Sequence, residues 1–369
     1  VNEGDEQRVT TLELFFDLVF VFTVTQLTTV LLDELSPIGV ARTALLLAVL
    51  WWMYGGYAWL TNAVPPVRPV PRLLLVLAMA AFLVVALAAP TAFGAGGLAF
   101  ALGYLVVVLV HGGLYLTTSH PGNRRGILRI LPFNLGAAGM LVGAAFTVGR
   151  AHWALWVLAV VLEWVLPLLL GQPRGFAVRA DHFVERHGLV LIIAFGESVV
   201  AVGIGVSGLG LSPGLLGAAV LAVLVLAAAW WAYFGEDDEL AARRLTEAAP
   251  ERLPMLCLFA YGHAFFVLLA GVIALATGVR RAIGHPLAPL APGSALVLGV
   301  GVALYLAGEL MIRRLLRLGP LLPRTLALLA ALLSVPVGVA TSLVVQLGWL
   351  GAVLVAMFLT ERRRWSRAG

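Results

Sequence analysis

Apolar runs of about 18–25 residues, each long enough to cross a hydrocarbon core, recur along the whole chain between short polar or proline-bearing breaks. Twelve are read: 11–32, 40–62, 73–92, 97–118, 127–148, 152–170, 188–208, 214–235, 255–278, 294–316, 325–341 and 345–361. A single long, broken segment also accounts for the last two. The first run, "TTLELFFDLVFVFTVTQLTTVLL" at 10–32, has no polar face, because Leu14, Phe15, Phe16, Leu18, Val19 and Phe20 surround Glu13 and Asp17. The pattern predicts an all-α fold, a polytopic transmembrane bundle of about 12 helices.

Composition agrees with that solvent. The chain is 61% hydrophobic and 12% charged with a mean hydropathy of +1.01, where a soluble domain carries roughly 25% charged residues. The opening "VNEGDEQR" has neither a basic n-region nor a small-residue cleavage site, so no signal peptide is expected. One cysteine, Cys257, excludes an internal disulfide and any cysteine-based metal site.

The net charge of +5 looks at first like a polyanion footprint, but its distribution argues otherwise. Every basic residue is Arg, and with twelve spans 20 of the 24 fall on one side of the membrane; only Arg42, Arg150, Arg280 and Arg281 fall on the other. The positive-inside rule then predicts both termini in the cytoplasm. No nucleic-acid partner is expected.

The sequence also repeats itself at an offset of about 180 residues, and two WWxY strings at one shared offset are too rare a match for chance. "FFDLVF" at 15–20 meets "FGESVV" at 195–200, placing Asp17 opposite Glu197, and "RLLLVL" at 72–77 meets "RLPMLC" at 252–257. "WWMYGG" at 51–56 meets "WWAYFG" at 230–235. Two six-helix halves, 1–170 and 188–369, are predicted, joined by a polar cytoplasmic linker at 171–187. Six is even, so the halves enter from the same side and form a parallel repeat about an axis along the membrane normal.

"LELFFDLVFVF" at 12–22 and "HFVERHGLVLIIAFGES" at 182–198 resemble the two signature strings of the bacterial low-temperature-requirement A (LtrA) family, and the likeness extends through both WWxY strings. The resemblance implies a multi-pass protein of the bacterial cytoplasmic (inner) membrane, and supplies no mechanism. Two departures stand out: His187 occupies a position that is usually aromatic, and the loop "TNAVPPVRP" lacks the acid usual after the second helix. No role of that acid carries over. A weaker likeness, in residue type, links "FFDLVFVF" to a potassium-channel family whose first helix carries Phe-Ser-Asp and then Val-Phe-Ala.

A carboxylate near mid-bilayer costs at least ~2.5–3.5 kcal/mol, so Asp17 and Glu197 need a partner, water or a proton. They read as a pair of proton- or cation-binding groups, or as acids that fix helix packing through hydrogen bonds. Glu13, one turn from Asp17, reads as interfacial or as an Arg partner. His111, Glu163 and His263 fall in the cytoplasmic halves of helices four, six and nine; a hydrogen-bonded core or a proton relay suits them better than a metal site, since no HxxxH spacing joins them. Trp230, Trp231 and Tyr233 suit an interfacial belt, whereas Trp51, Trp52 and Tyr54 sit deeper; across the pseudo-axis the six rings would line a cavity for a cation or planar lipid. Arg186 with Glu185, and Glu309 with Arg313, read as structural pairs. Pro132, Pro167 and Pro336 are expected to kink or break their helices.

The acids and imidazoles thus gather in the cytoplasmic half, while Thr25, Gln26, Thr28, Thr29, Ser207, Ser334 and Thr341 supply the outer half. That depth pattern describes a polar vestibule open to the cytoplasm under a drier plug. Two functions fit. One is a transporter or channel for a small cation or solute, with Asp17 and Glu197 as coupling or binding carboxylates. The other is a membrane enzyme acting on a lipid or prenyl substrate, with a buried carboxyl as general acid. No nucleophile–base constellation, phosphate loop or cofactor fingerprint is present, so no cofactor or metal is expected. The expected partners are the bilayer and a small cation, solute or lipid-like ligand, with assembly as a homo-oligomer left open.

Overall fold

The computed structural model describes residues 9–64, 68–118, 120–169, 176 and 178–365. Among them there is no strand, and twelve main helices follow one another: α1 Thr11–Asp33, α2 Pro37–Ala63, α3 Pro69–Ala88, α4 Gly97–Leu116, α5 Pro121–Ala144, α6 Gly149–Trp164, α7 Ala180–Val206, α8 Pro213–Phe234, α9 Leu253–Ala282, α10 Pro292–Leu316, α11 Leu322–Ala340 and α12 Leu343–Trp365, with a further helix of 10 residues, Asp237–Thr246, between α8 and α9. Eleven are long and apolar enough to span a bilayer. The exception is α6, which has 16 residues and is followed by the short turn Leu166–Leu169. The tail read as one or two spans is two helices, parted at Thr341–Ser342.

Local chemistry explains the punctuation. Proline opens α2, α3, α5, α8 and α10, where its missing N–H costs nothing and its fixed φ suits the first turn. Ser212 caps α8 by accepting from the Leu215 N–H at 3.2 Å. Of the three interior prolines, Pro132 is absorbed within a continuous α5, but α11 breaks at Leu333, one residue past the carbonyl that Pro336 cannot serve. The helix of α9 passes through a π-helical segment at Leu258–Ala264, which contains His263.

Helix α7 differs most from the hydropathy reading. It begins at Ala180, two turns ahead of the apolar run, so 180–187 of the stretch read as linker are helical; 171–175 and 177 lie outside the described residues.

The chain divides into two compact units, Val1–Leu27 with Ala41–Val190 and Ala242–Leu258, and Thr28–Val40 with Leu191–Ala241 and Phe259–Gly369. In the first, α3 packs on α4, α4 on α5 and α5 on α6. In the second, α9 packs on α10, α10 on α11, α11 on α12 and α12 on α8. Backbones come closest where α9 crosses α10: a Cβ on Gly301 would lie 2.6 Å from the Leu275 nitrogen, and one on Gly308 2.8 Å from the Ala264 carbonyl oxygen. Small residues permit such approaches in bilayers. Large apolar side chains remain exposed along helix faces, as Leu216, Val220 and Leu224 do on α8 at helical spacing. Water would penalise such faces, and lipid covers them. The protein is an integral membrane protein.

Candidate functional site

The first unit holds a buried ionic cluster where α1 and α7 begin and α2 ends. Thr10 and Glu13 form a capping box: the Glu13 N–H donates to Thr10 Oγ1 at 3.3 Å, while Glu13 Oε2 accepts from the Thr10 N–H and hydroxyl, both at 2.9 Å. This fixes Glu13 with Oε1 turned into the protein. One turn on, Asp17 shares its face.

Opposite them, His182 and Arg186 occupy one face of α7 at the same i, i+4 spacing. His182 Nε2 lies 3.3 Å from Glu13 Oε1. Arg186 Nη1 lies 3.4 Å from the same oxygen, and its Nε and Nη2 donate to Asp17 Oδ1 at 3.3 and 3.1 Å. Arg186 also donates to the Thr61 hydroxyl, and its guanidinium lies over Phe16 and Tyr54, 5.5 and 5.7 Å from the ring centroids. Tyr54 donates to Asp17 Oδ1 at 3.0 Å. Asp17 and Arg186 are both fully buried.

Asn62, near the end of α2, sets the tautomer of His182. Its Oδ1 accepts from the Arg179 N–H at 2.8 Å and its Nδ2 donates to the Arg179 carbonyl at 2.9 Å, which settles the amide orientation. The same Nδ2 faces His182 Nδ1 at 3.3 Å, leaving Nε2–H for Glu13. One oxygen stands apart from this ordering. Asp17 Oδ1 takes three donors, whereas its buried Oδ2 has no hydrogen-bond partner.

A second cluster lies in the second unit, at the ends of α8, α10, α11 and α12. Arg313 grips Asp237 with Nε at 2.6 Å and Nη2 at 2.8 Å, a bidentate pair. Arg324 donates to Glu309 at 2.7 Å, to Glu361 at 3.1 Å and to the Ala232 carbonyl at 2.9 Å, and lies 3.0 Å from Asp237. Both expected local pairs are therefore replaced. Glu309 bonds Arg324 rather than its i+4 neighbour Arg313, and Arg186 turns inward while Glu185 is exposed. In each case a buried partner on another helix escapes the solvent screening that weakens a surface pair.

The other residues singled out from the sequence are spread over both units. Trp51 stacks on Tyr54 at 5.0 Å, and both are buried beside Asp17. Trp52 donates to Asn134 Oδ1 at 3.0 Å. His111 packs between Tyr57 and Tyr115, at 5.3 and 5.1 Å. Glu163 accepts from Tyr104. In the second unit Glu197 and His263 are half-buried, the latter with its ring 5.0 Å from Phe259. Trp230 and Trp231 are 39% and 52% exposed, unlike buried Tyr233 and unlike Trp51. Among the described residues, no three His, Cys, Asp or Glu side chains converge as a metal site.

His182, Thr61 and Asn62 were not singled out from the sequence, and Arg186 was read there only as a structural partner of Glu185. A signal existed for their centre, since Thr10-x-x-Glu13 ahead of an apolar run is a capping-box signature.

Two comparisons bear on this arrangement. The chain is similar to the uncharacterized protein RA0937 of Rhizobium meliloti (strain 1021), 29% identical over 323 residues that cover 84% of this chain and 78% of that protein. The family model of the bacterial low temperature requirement A protein (LtrA) matches residues 8–359, a range that takes in both clusters except Glu361. With its all-helical fold and near-complete match, the chain belongs to the LtrA family of bacterial membrane proteins.

Proposed function

We propose that the protein is a transporter or channel for a small cation, with Asp17 as a binding or coupling carboxylate and Glu197, its counterpart in the repeat, as a second. The observation that carries the reading is the bare, buried Oδ2 of Asp17. A carboxylate with one oxygen saturated and the other open keeps capacity for a proton or a desolvated cation. Arg186 supplies the counter-charge when the site is empty. Its Nη1 already lies near Glu13, so it can swing toward that acid when a cation takes its place on Asp17. Two acids sharing one Arg make the two-state element that coupling requires.

The duplication gains support from a matched detail. Tyr104 on α4 lies 3.4 Å from the Val49 carbonyl, and Tyr305 on α10 donates to the Ala229 carbonyl at 2.7 Å, each just ahead of a WWxY string. α4 and α10 hold the fourth place in their halves.

Purified protein in vesicles containing a trapped pH dye tests the reading. Under an imposed Na+ or K+ gradient, wild-type vesicles should move protons or the cation faster than empty ones. Asp17→Asn and Glu197→Gln should each return the flux to the empty-vesicle level while inserting normally. No flux of H+, Na+ or K+ by the wild type would sink the cation reading; full flux in both variants would show the carboxylates to be structural.

In the same reading α6 crosses together with the helical turn Leu166–Leu169 that follows it, which makes twelve crossings; both termini are then cytoplasmic, which the arginine distribution supports, and both ionic clusters lie at the cytoplasmic ends of their helices. Reporter fusions after residues 93 and 210 should read outside, and after 120 and 248 inside. The reversed pattern at any two positions refutes this orientation.

A further inference from the structure

Five acids are buried among the described residues: Glu13, Asp17, Glu163, Asp237 and Glu309. Four of them lie within 3.4 Å of an arginine. Glu163 does not. It is completely buried near the end of α6, and the titratable group that faces it is Tyr104 of α4, which hydrogen-bonds Oε1. Oε2 has no hydrogen-bond partner, and the α2 groups recorded nearby are two backbone carbonyls: Val49, 3.4 Å from the Tyr104 hydroxyl, and Ala48, which accepts from the Trp164 indole at 3.1 Å. Val49 and Tyr104 both sit near the middle of their helices, so the group lies well within the spans.

An ionised carboxylate in that setting keeps one hydrogen bond and loses both water and counter-charge, so its desolvation is left uncompensated. The neutral acid, by contrast, is served by the geometry. Its O–H can donate to the Tyr104 oxygen, and the Tyr104 hydrogen can then turn to the Val49 carbonyl, 3.4 Å away. No donor is stranded, and the remaining carboxyl C=O is the least costly group to leave bare. When Glu163 gives up its proton to water, the Tyr104 hydrogen turns back to Oε1, which is the ionised arrangement in which Tyr104 donates to Glu163.

We infer that Glu163 and Tyr104 form a proton-binding site, occupied at neutral pH, in which the tyrosine hydroxyl switches between Glu163 and the Val49 carbonyl as the proton comes and goes. The site is the counterpart, by chemistry, of the arginine-balanced clusters: a buried acid neutralised by a proton instead of a guanidinium.

Infrared spectroscopy of the full-length protein in lipid nanodiscs reads this directly, because a protonated carboxylic acid has a carbonyl stretch separate from that of a carboxylate. The wild-type minus Glu163→Gln difference spectrum at neutral pH should contain that protonated-acid band, sensitive to deuterium exchange. Tyr104→Phe should keep the band and shift it to higher frequency through the lost hydrogen bond. A carboxylate doublet in place of the acid band overturns the inference. Should Glu163→Gln fail to fold, Tyr104→Phe alone decides: a derivative-shaped feature in the acid region supports the site, and its absence overturns it.

Discussion

Arg186→Met is expected to lower the stability of the protein by about 3–5 kcal/mol, the cost of stripping the cation from buried acids. The side chain is fully buried and serves Asp17, Glu13 and Thr61 at once. Methionine fills much of the volume and offers nothing to either carboxylate. Arg186→Lys should recover little, because one ammonium cannot reproduce a guanidinium that reaches Asp17 through Nε and Nη2 while Nη1 turns to Glu13. Asp17→Asn combined with Arg186→Met should recover part of the loss, since His182 still faces Glu13 and one unpaired charge has gone. The midpoint of thermal unfolding in nanodiscs ranks the four proteins. A wild-type midpoint for Arg186→Met would mean that water reaches the cluster, and with it the desolvated site proposed around Asp17 would fall.

The second large effect is expected at Arg324. Arg324→Met removes the arginine that hydrogen-bonds Glu309 and a partner of Glu361, and it uncaps the Ala232 carbonyl near the end of α8. The loss should again reach about 3–5 kcal/mol. Arg313→Met should cost less: Asp237 and Glu361 would both keep Arg324, and Glu309 would be untouched. Arg244→Met is the control, since its 3.5 Å pair with Glu247 is exposed on both sides and worth at most about 1 kcal/mol. The order Arg324, Arg313, Arg244 is the prediction. If Arg324→Met proves as mild as the control, the second cluster is solvated rather than buried.

The two clusters also explain why much of the site was hard to read from the chain. Hydropathy windows average over many residues, so a polar turn that is buried looks the same as one in water. His182 and Arg186 therefore read as linker, although they open α7 and are buried against Glu13 and Asp17. Local spacing likewise offered Glu185 for Arg186 and Arg313 for Glu309. Both offers lost to partners 169 and 15 residues away, respectively. Asp17 itself was legible, because an acid surrounded by phenylalanine and leucine has no ordinary explanation. Glu163 was legible as an intramembrane acid, but its lack of an arginine was not.

By itself the sequence determined the solvent, the helical class and the spans, because each depends on the free energy of moving about 20 consecutive residues into hydrocarbon, a sum that pairing can alter only at single positions. It also carried the family, through strings that lie within single helices. Tertiary structure decided the charges. Whether a buried acid is balanced by an arginine, as Asp17 and Glu309 are, or by a proton, as inferred for Glu163, depends on which side chain of another helix arrives within about 3–4 Å, where Coulomb energy in a low dielectric outweighs everything encoded locally. That distance is set by helix packing, which no window along the chain records.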